Sequence, residues 1–199
     1  MKFFVMRDPS LPFPEPEEPA FTGEGQGSGA ALDDVFGHID IRLDTDQGSV
    51  TVEGEILPQV RLVRQEGAKP NPHTPIGTRD GARLTLRVDG CPARIAPARG
   101  WLPRRSYRVD VDAPGAHYRL VPCSTTASRL LKDKRRIAEF TSCGDGSVTA
   151  AWRTPHMGLV AQDAAIGYGL ATAFGTGGKS ATELLFDLVI GPLLPWLVP

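Results

Sequence analysis

Apolar and polar residues alternate through much of the chain. Ile39, Ile41 and Leu43 are separated by Asp40, Arg42 and Asp44, and Val50 and Val52 resume the alternation after Asp46-Gln47-Gly48. A period of two puts every second side chain on one face, so the pattern predicts two half-buried strands joined as a hairpin. Residues 57–63 predict another strand, which Pro58 places at a sheet edge because it lacks an amide proton. Leu84, Leu86 and Val88 follow the turn signal Asp80-Gly81 and form a further strand pattern. Residues 91–95, 107–111, 118–121 and 130–141 repeat the pattern, with breaks at Asp89-Gly90, Pro114-Gly115 and Lys132-Asp133-Lys134. Residues 136–140 and 147–152 flank Cys143-Gly144-Asp145-Gly146 and predict one more hairpin. Such regular spacing predicts a mainly β fold, an antiparallel meander or closed barrel.

The texture changes at Asp163. Ala164, Ala165, Ile166, Tyr168, Leu170, Ala171, Ala173 and Phe174 form an almost unbroken small and apolar run around Gly167 and Gly169. This predicts a buried helix over 163–174, whose small residues admit close neighbours although each internal glycine costs about 1 kcal/mol relative to alanine. After Gly175-Thr176-Gly177-Gly178, Ser180 and Glu183 have capping-box spacing and predict a second apolar helix over 180–190. Asp187, Pro192 and Pro195 interrupt the terminal apolar stretch, which falls short of the roughly 18 residues of a membrane span. Core packing, self-association and interfacial anchoring all remain open for it. Near the other terminus, residues 3–6 form an apolar strand-like run. Pro9, Pro12, Pro14, Pro16 and Pro19 and the glycines from Gly23 to Gly29 then predict a flexible acidic segment over 9–35, within a single domain spanning 1–199.

Composition fits this picture. The 22 glycines and 18 prolines among 199 residues disfavour a helical bundle, and 41% hydrophobic content disfavours disorder of the whole chain. The formal charge of -1 conceals a division: 10 acids against 3 bases over 1–50, 9 against 17 over 51–140, and 4 against 2 over 141–199. An acidic arm can neutralise a basic body, or the basic body can face phosphate, anionic lipid or an acidic protein. The cysteine count is odd, and Arg7 and Asp8 arrive too early for a secretory hydrophobic region. The expected compartment is therefore cytoplasmic, with peripheral membrane attachment as one option.

No motif names a reaction. Cys123 and Ser124 lie six and seven residues after His117, and a small hydrolase using one of them with that imidazole is the enzyme alternative. The cysteines and His38, His73, His117 and His156 lack zinc-site spacing, so neither a metal nor a cofactor is expected. Residues 175–180 resemble the end of a phosphate loop, but Ala173 stands where its opening glycine belongs. The slightly negative total charge and the absence of a recognition signature argue against nucleic acid as the partner. The remaining candidates are basic: Arg94, Arg99, Arg104, Arg105 and Arg108, with Trp101 and Tyr107 among them, and Lys132, Lys134, Arg135 and Arg136 around Asp133. Their cationic heads suit phosphate oxygens.

The hairpins of 118–152, the run Arg129-Leu130-Leu131-Lys132-Asp133-Lys134-Arg135-Arg136-Ile137-Ala138-Glu139-Phe140 and the late apolar helix resemble in layout the tubby C-terminal-like superfamily. That superfamily includes LURP-one-related proteins and phospholipid scramblases. The resemblance covers residues 36–190. It implies a closed antiparallel barrel traversed by a hydrophobic helix, here 163–174, and binding of phosphoinositide or another anionic lipid. The Pro and Gly-rich arm and the second apolar segment depart from the pattern, and no residue aligns with a phosphoinositide pocket, so no binding residue is carried over. The resulting expectation is a nonenzymatic binding or scaffold protein. Its basic loops meet an anionic lipid, a phosphate-bearing ligand or a protein partner, and its apolar C-terminus supports homo-oligomers.

Overall fold

The computed structural model describes residues 26–68, 71, 74–100, 104–142, 147–153 and 158–175. Among these residues eleven strands precede one helix. They are β1 (Gln26–Asp33), β2 (Gly37–Asp44), β3 (Ser49–Gly54), β4 (Val60–Arg64), β5 (Leu84–Val88), β6 (Cys91–Pro97), β7 (Val109–Ala113), β8 (Ala116–Pro122), β9 (Ala127–Lys132), β10 (Arg135–Ser142) and β11 (Val148–Trp152), followed by α1 (Ala161–Phe174). Each strand pairs antiparallel with the next in sequence order, and β1 returns to lie beside β11, so the sheet curls into a nearly closed barrel.

The period-two pattern sets the inside of this barrel. Ile39 and Ile41, Val50 and Val52, Leu84, Leu86 and Val88, and Val109 and Val111 all point inward and are buried. The helix fills the space they enclose. Residues 163–174 are all buried, and α1 touches β2, β3 and β4 on one side and β8, β9, β10 and β11 on the other. A helix surrounded by strands has no polar face, which is why its sequence carries no amphipathic period. Its glycines serve close packing: a Cβ at Gly167 would lie 2.3 Å from Phe140 Cζ.

An odd number of antiparallel strands leaves the first and last running in the same direction, and a parallel pair is the weaker kind. Among the described residues no ladder joins β1 to β11; side chains bridge the seam instead. Asp33, buried at the end of β1, accepts from Trp152 Nε1 at 2.8 Å and from the Tyr168 hydroxyl at 2.8 Å. Its Oδ1 also accepts from the amides of Val35 and Phe36, and the Phe36 and Trp152 rings meet edge-on at 5.2 Å. One carboxylate thus ties both edge strands to the central helix.

The barrel has two ends, named here for the termini of α1. At the N-end lie the β1–β2, β3–β4, β5–β6, β7–β8 and β9–β10 turns, where Gln162 Nε2 donates to Pro114 O at 3.2 Å. At the C-end lie the alternate connections, where the Ile76 amide donates to Ala173 O at 2.9 Å and satisfies one of the helix's last carbonyls.

Several expectations need adjustment. The expected flexible segment 9–35 ends in β1: residues 26–33 pair with β2, although their glycines and alanines carry little strand signal. The edge strand expected over 57–63 is β4, flanked on both sides by β3 and β5, because Pro58 falls in the turn ahead of it. The helix starts two residues before 163. Residues 3–6, the segment 180–190, Trp101, His73, Cys143 and His156 lie outside the described residues. No described helix is long and apolar enough to cross a membrane.

Candidate functional site

The basic residues singled out from sequence divide between the two ends of the barrel. Arg104, Arg105 and Arg108 belong to the β6–β7 connection at the C-end, where Arg104–Tyr107 forms a short 3-10 turn. Lys132, Lys134, Arg135 and Arg136 belong to the β9–β10 turn at the N-end. The length of β7 and β8 separates the sets, roughly 20 Å at about 3.3 Å per residue. They do not form one surface.

Lys132 does not belong to an exposed tip. It follows Ser128 and Leu130 on the inner face of β9, and strand parity directs its side chain into the barrel. Its Nζ lies 2.8 Å from Asp163 Oδ1 and 3.1 Å from Oδ2. Tyr118, opposite Lys132 on β8 and also inward, donates its hydroxyl to Asp163 Oδ1 at 2.7 Å, and the Val160 amide donates to Oδ2 at 3.0 Å. Asp163 is wholly buried and caps the first turn of α1. Burial, and next the hydrogen bond to this carboxylate, push the Tyr118 hydroxyl pKa well above the ordinary tyrosine range. Tyr168 is raised in the same way by burial and by its bond to Asp33. Lys132 therefore ties β9 to the first turn of the helix.

At the rest of that turn, Asp133 and Lys134 both take positive φ, 48° and 69°, the geometry of a two-residue hairpin turn that matches the strand twist. Lys134 and Arg135 are exposed. Arg136 is already engaged, donating to Glu139 Oε2 at 2.6 Å.

The C-end is richer than the sequence indicated. The β4–β5 connection folds back onto the β6–β7 connection and adds two arginines. Arg79 reaches across, with Nε 3.0 Å from Ala98 O and Nη2 2.5 Å from Tyr107 O. Its guanidinium also lies 5.2 Å from the Phe174 ring centroid and 5.4 Å from that of Tyr107. Desolvation lowers its pKa to about 10, against the opposing pull of Tyr107, so at neutral pH it stays charged. This cation sits at the C-terminus of α1, where the helix dipole favours positive charge. Arg83, Arg99, Arg105 and Arg108 are exposed around it. The nearby carboxylates are committed: Asp80 Oδ1 caps its 3-10 turn through the Ala82 amide, and Asp110 accepts from Arg119 at 2.5 Å and Arg108 at 3.3 Å. The missed signal was tertiary; nothing in the 79–83 segment points toward residues 98–108 until the loops pack.

The arrangement does not join the residues of the hydrolase alternative. His117 and Cys123 lie six residues apart along one strand direction, about 20 Å. His117 Nδ1 is 2.6 Å from Asp112 Oδ1 and its Nε2 3.5 Å from Asp110 Oδ1, in a cross-strand charge ladder completed by Arg94 and Arg119. Cys123 Sγ donates to Ala127 O at 3.3 Å, and Ser124 Oγ accepts from the Thr126 and Ala127 amides, which is turn chemistry. Among the described residues no three His, Cys, Asp or Glu side chains are grouped to hold a metal ion. Comparison of the chain with protein-family models, curated proteins and solved structures gave no match.

Proposed function

We propose that this protein is a nonenzymatic binding protein that recognises a phosphate-bearing anion, free or in a lipid headgroup, through the arginine-rich C-end of its barrel. The observation that carries the reading is the gathering of Arg79, Arg83, Arg99, Arg105 and Arg108 by two packed connections, in which Asp80 caps its own turn and, among the described residues, Arg108 alone of the five is paired with a carboxylate, that of Asp110. Because α1 fills the barrel, recognition falls to its outer surface and end loops. Arginine suits the role through its planar, always charged donor fork. The reading extends to membership of the tubby C-terminal-like superfamily and a cytoplasmic, membrane-peripheral location; the helix-threaded barrel supports that extension through layout alone.

The test is a vesicle flotation assay comparing phosphatidylserine with phosphatidylcholine vesicles, beside calorimetry with inorganic phosphate and pyrophosphate. The expected result is salt-sensitive binding that the combined Arg83→Gln, Arg99→Gln, Arg105→Gln and Arg108→Gln variant loses at least tenfold, while Lys134→Gln/Arg135→Gln retains it. Capture by vesicles alone identifies a headgroup at a surface; response to free phosphate identifies a soluble ligand. Binding that survives the fourfold variant refutes the assignment of this end.

A further inference from the structure

The exposed large hydrophobic residues of the described chain are Leu32, Val35, Ile56 and Val160, at 84%, 36%, 60% and 48% exposure. All four lie at one end of the barrel. Leu32 and Val35 flank the β1–β2 turn, Ile56 lies in the β3–β4 turn, and Val160 immediately precedes α1. This is the N-end, opposite the arginine cluster.

Charge at the same end is divided by sector. Going round the barrel in strand order, the first two turns carry the exposed acids Asp34 and Glu55, the β5–β6 turn sets exposed Asp89 beside Arg87, whose Nη1 donates to Gly90 O at 3.0 Å, and the β7–β8 turn, Pro114-Gly115, is neutral. The β9–β10 turn then carries exposed Lys134 and Arg135, and Arg153 stands exposed at the exit of β11. Asp133, also on that turn, directs its Oδ1 back onto the His117 amide at 3.0 Å. The end face is therefore dipolar, with an acidic sector bearing most of the aliphatic side chains and a basic sector opposite.

The geometry points to a second copy of this chain as the occupant of that face, in an end-to-end dimer. A two-fold axis lying in the face and passing between the sectors sets each acidic sector against the basic sector of the other copy, which satisfies the self-complementarity of a closed dimer. The methylene stems of Lys134, Arg135 and Arg153 then cover Leu32, Val35 and Ile56, and the copies of Val160 approach near the axis. The area is sufficient. Eleven strands at about 4.8 Å spacing and a tilt near 40° form a backbone barrel about 22 Å across. With side chains the end face is roughly 700 Å², close to the approximately 800 Å² that each partner buries in a standard interface. An anionic membrane is the poorer fit, since Asp34, Glu55 and Asp89 would approach it together with the aliphatic tips.

Sedimentation velocity on the full chain at rising concentration tests the proposal. The native chain is expected to dimerise, and Ile56→Asp to raise the dissociation constant at least tenfold with its circular dichroism and melting curve retained. Two charge variants sharpen the test: Asp34→Lys/Glu55→Lys turns the acidic sector net basic, and Arg135→Glu/Arg153→Glu turns the opposite sector net acidic. Each alone is expected to be monomeric, and an equimolar mixture is expected to recover dimer mass. The fourfold arginine variant of the C-end is expected to leave the dimer unchanged, which separates failure here from failure of the anion-binding reading. A native chain that stays monomeric at 200 µM, a dimer indifferent to Ile56→Asp, a mixture that stays monomeric, or capture by anionic vesicles that Ile56→Asp alone abolishes each overturns the proposal.

Discussion

Replacing Lys132 by methionine probes whether the helix is held in the barrel by a charge. Asp163 has no exposed side-chain surface, while Lys132 retains 21%. In Lys132→Met the carboxylate keeps the Tyr118 hydroxyl and the Val160 amide but loses its only cation among the described residues. Removing one member of a buried pair costs about 3–5 kcal/mol, most of it from the charge left behind. Partial solvation of the ammonium places this case at the lower bound, about 3 kcal/mol. For a domain of this size each kcal/mol moves the melting temperature by about 2–4 °C, so a fall of about 6–12 °C is expected. Urea unfolding followed by circular dichroism gives the free energy directly. The double variant Lys132→Met/Asp163→Asn leaves no uncompensated charge and should be less destabilised than the sum of the singles, by about 1–3 kcal/mol. Lys134→Met, two residues away but pointing to solvent, should stay within about 0.5 kcal/mol of the native chain. A Lys132→Met loss of under about 0.5 kcal/mol, or strict additivity in the cycle, refutes the reasoning.

The two helix glycines should respond differently to alanine. At Gly167 a methyl group would press Phe140, whose ring is already boxed by Trp152 and Tyr168 at 5.8 and 5.1 Å, and overpacking of about 1–3 kcal/mol outweighs the helix-propensity gain of about 1. At Gly169 the nearest atom, Val60 Cγ1, would be 3.1 Å away and can shift, so Gly169→Ala should be near neutral in the same urea assay; equal effects would disprove the packing argument. Alkaline titration tests the buried tyrosines. Tyr118 and Tyr168 have raised pKa values in the folded chain, so both states stay protonated below pH 10 and stability is unaffected there. Above pH 10 the unfolded chain releases its protons first, and stability should fall by about 1.4 kcal/mol per tyrosine per pH unit. Urea midpoints between pH 9 and 11 should fall less steeply in Tyr118→Phe/Tyr168→Phe, and parallel slopes would contradict this.

Much of the barrel was legible because its strands obey a period of two against an apolar interior. The hairpin of Ile39 to Val52, the run Leu84 to Val88 and the turn at Asp133-Lys134 all lie where their local chemistry places them. The helix was legible from its small, uniformly apolar composition. β1 was not, since Gly27, Ser28, Gly29 and Ala30 have no alternation, and the strand exists because β2 pairs with it. The inward direction of Lys132 follows from counting by two from Leu130, although it opens a run of bases that otherwise reads as a solvated turn. Asp33 and Asp163 lie far in sequence from Trp152 and Lys132, so no spacing could identify them as partners. The arginine cluster at the C-end was partly visible, as Arg99, Arg105 and Arg108; its completion by Arg79 and Arg83 depends on two loops meeting.

Chain order gives the buried latch a consequence for biosynthesis. Asp33 belongs to β1 and Tyr168 to α1, 135 residues apart, and Trp152 stands between them in sequence. A ribosome delivers β1 to β11 before α1, so until the helix emerges the apolar inner faces have nothing to enclose. A barrel sealed early would shut the helix out. A seam bridged by side chains, one of them on the helix itself, couples the closing of the barrel to its filling.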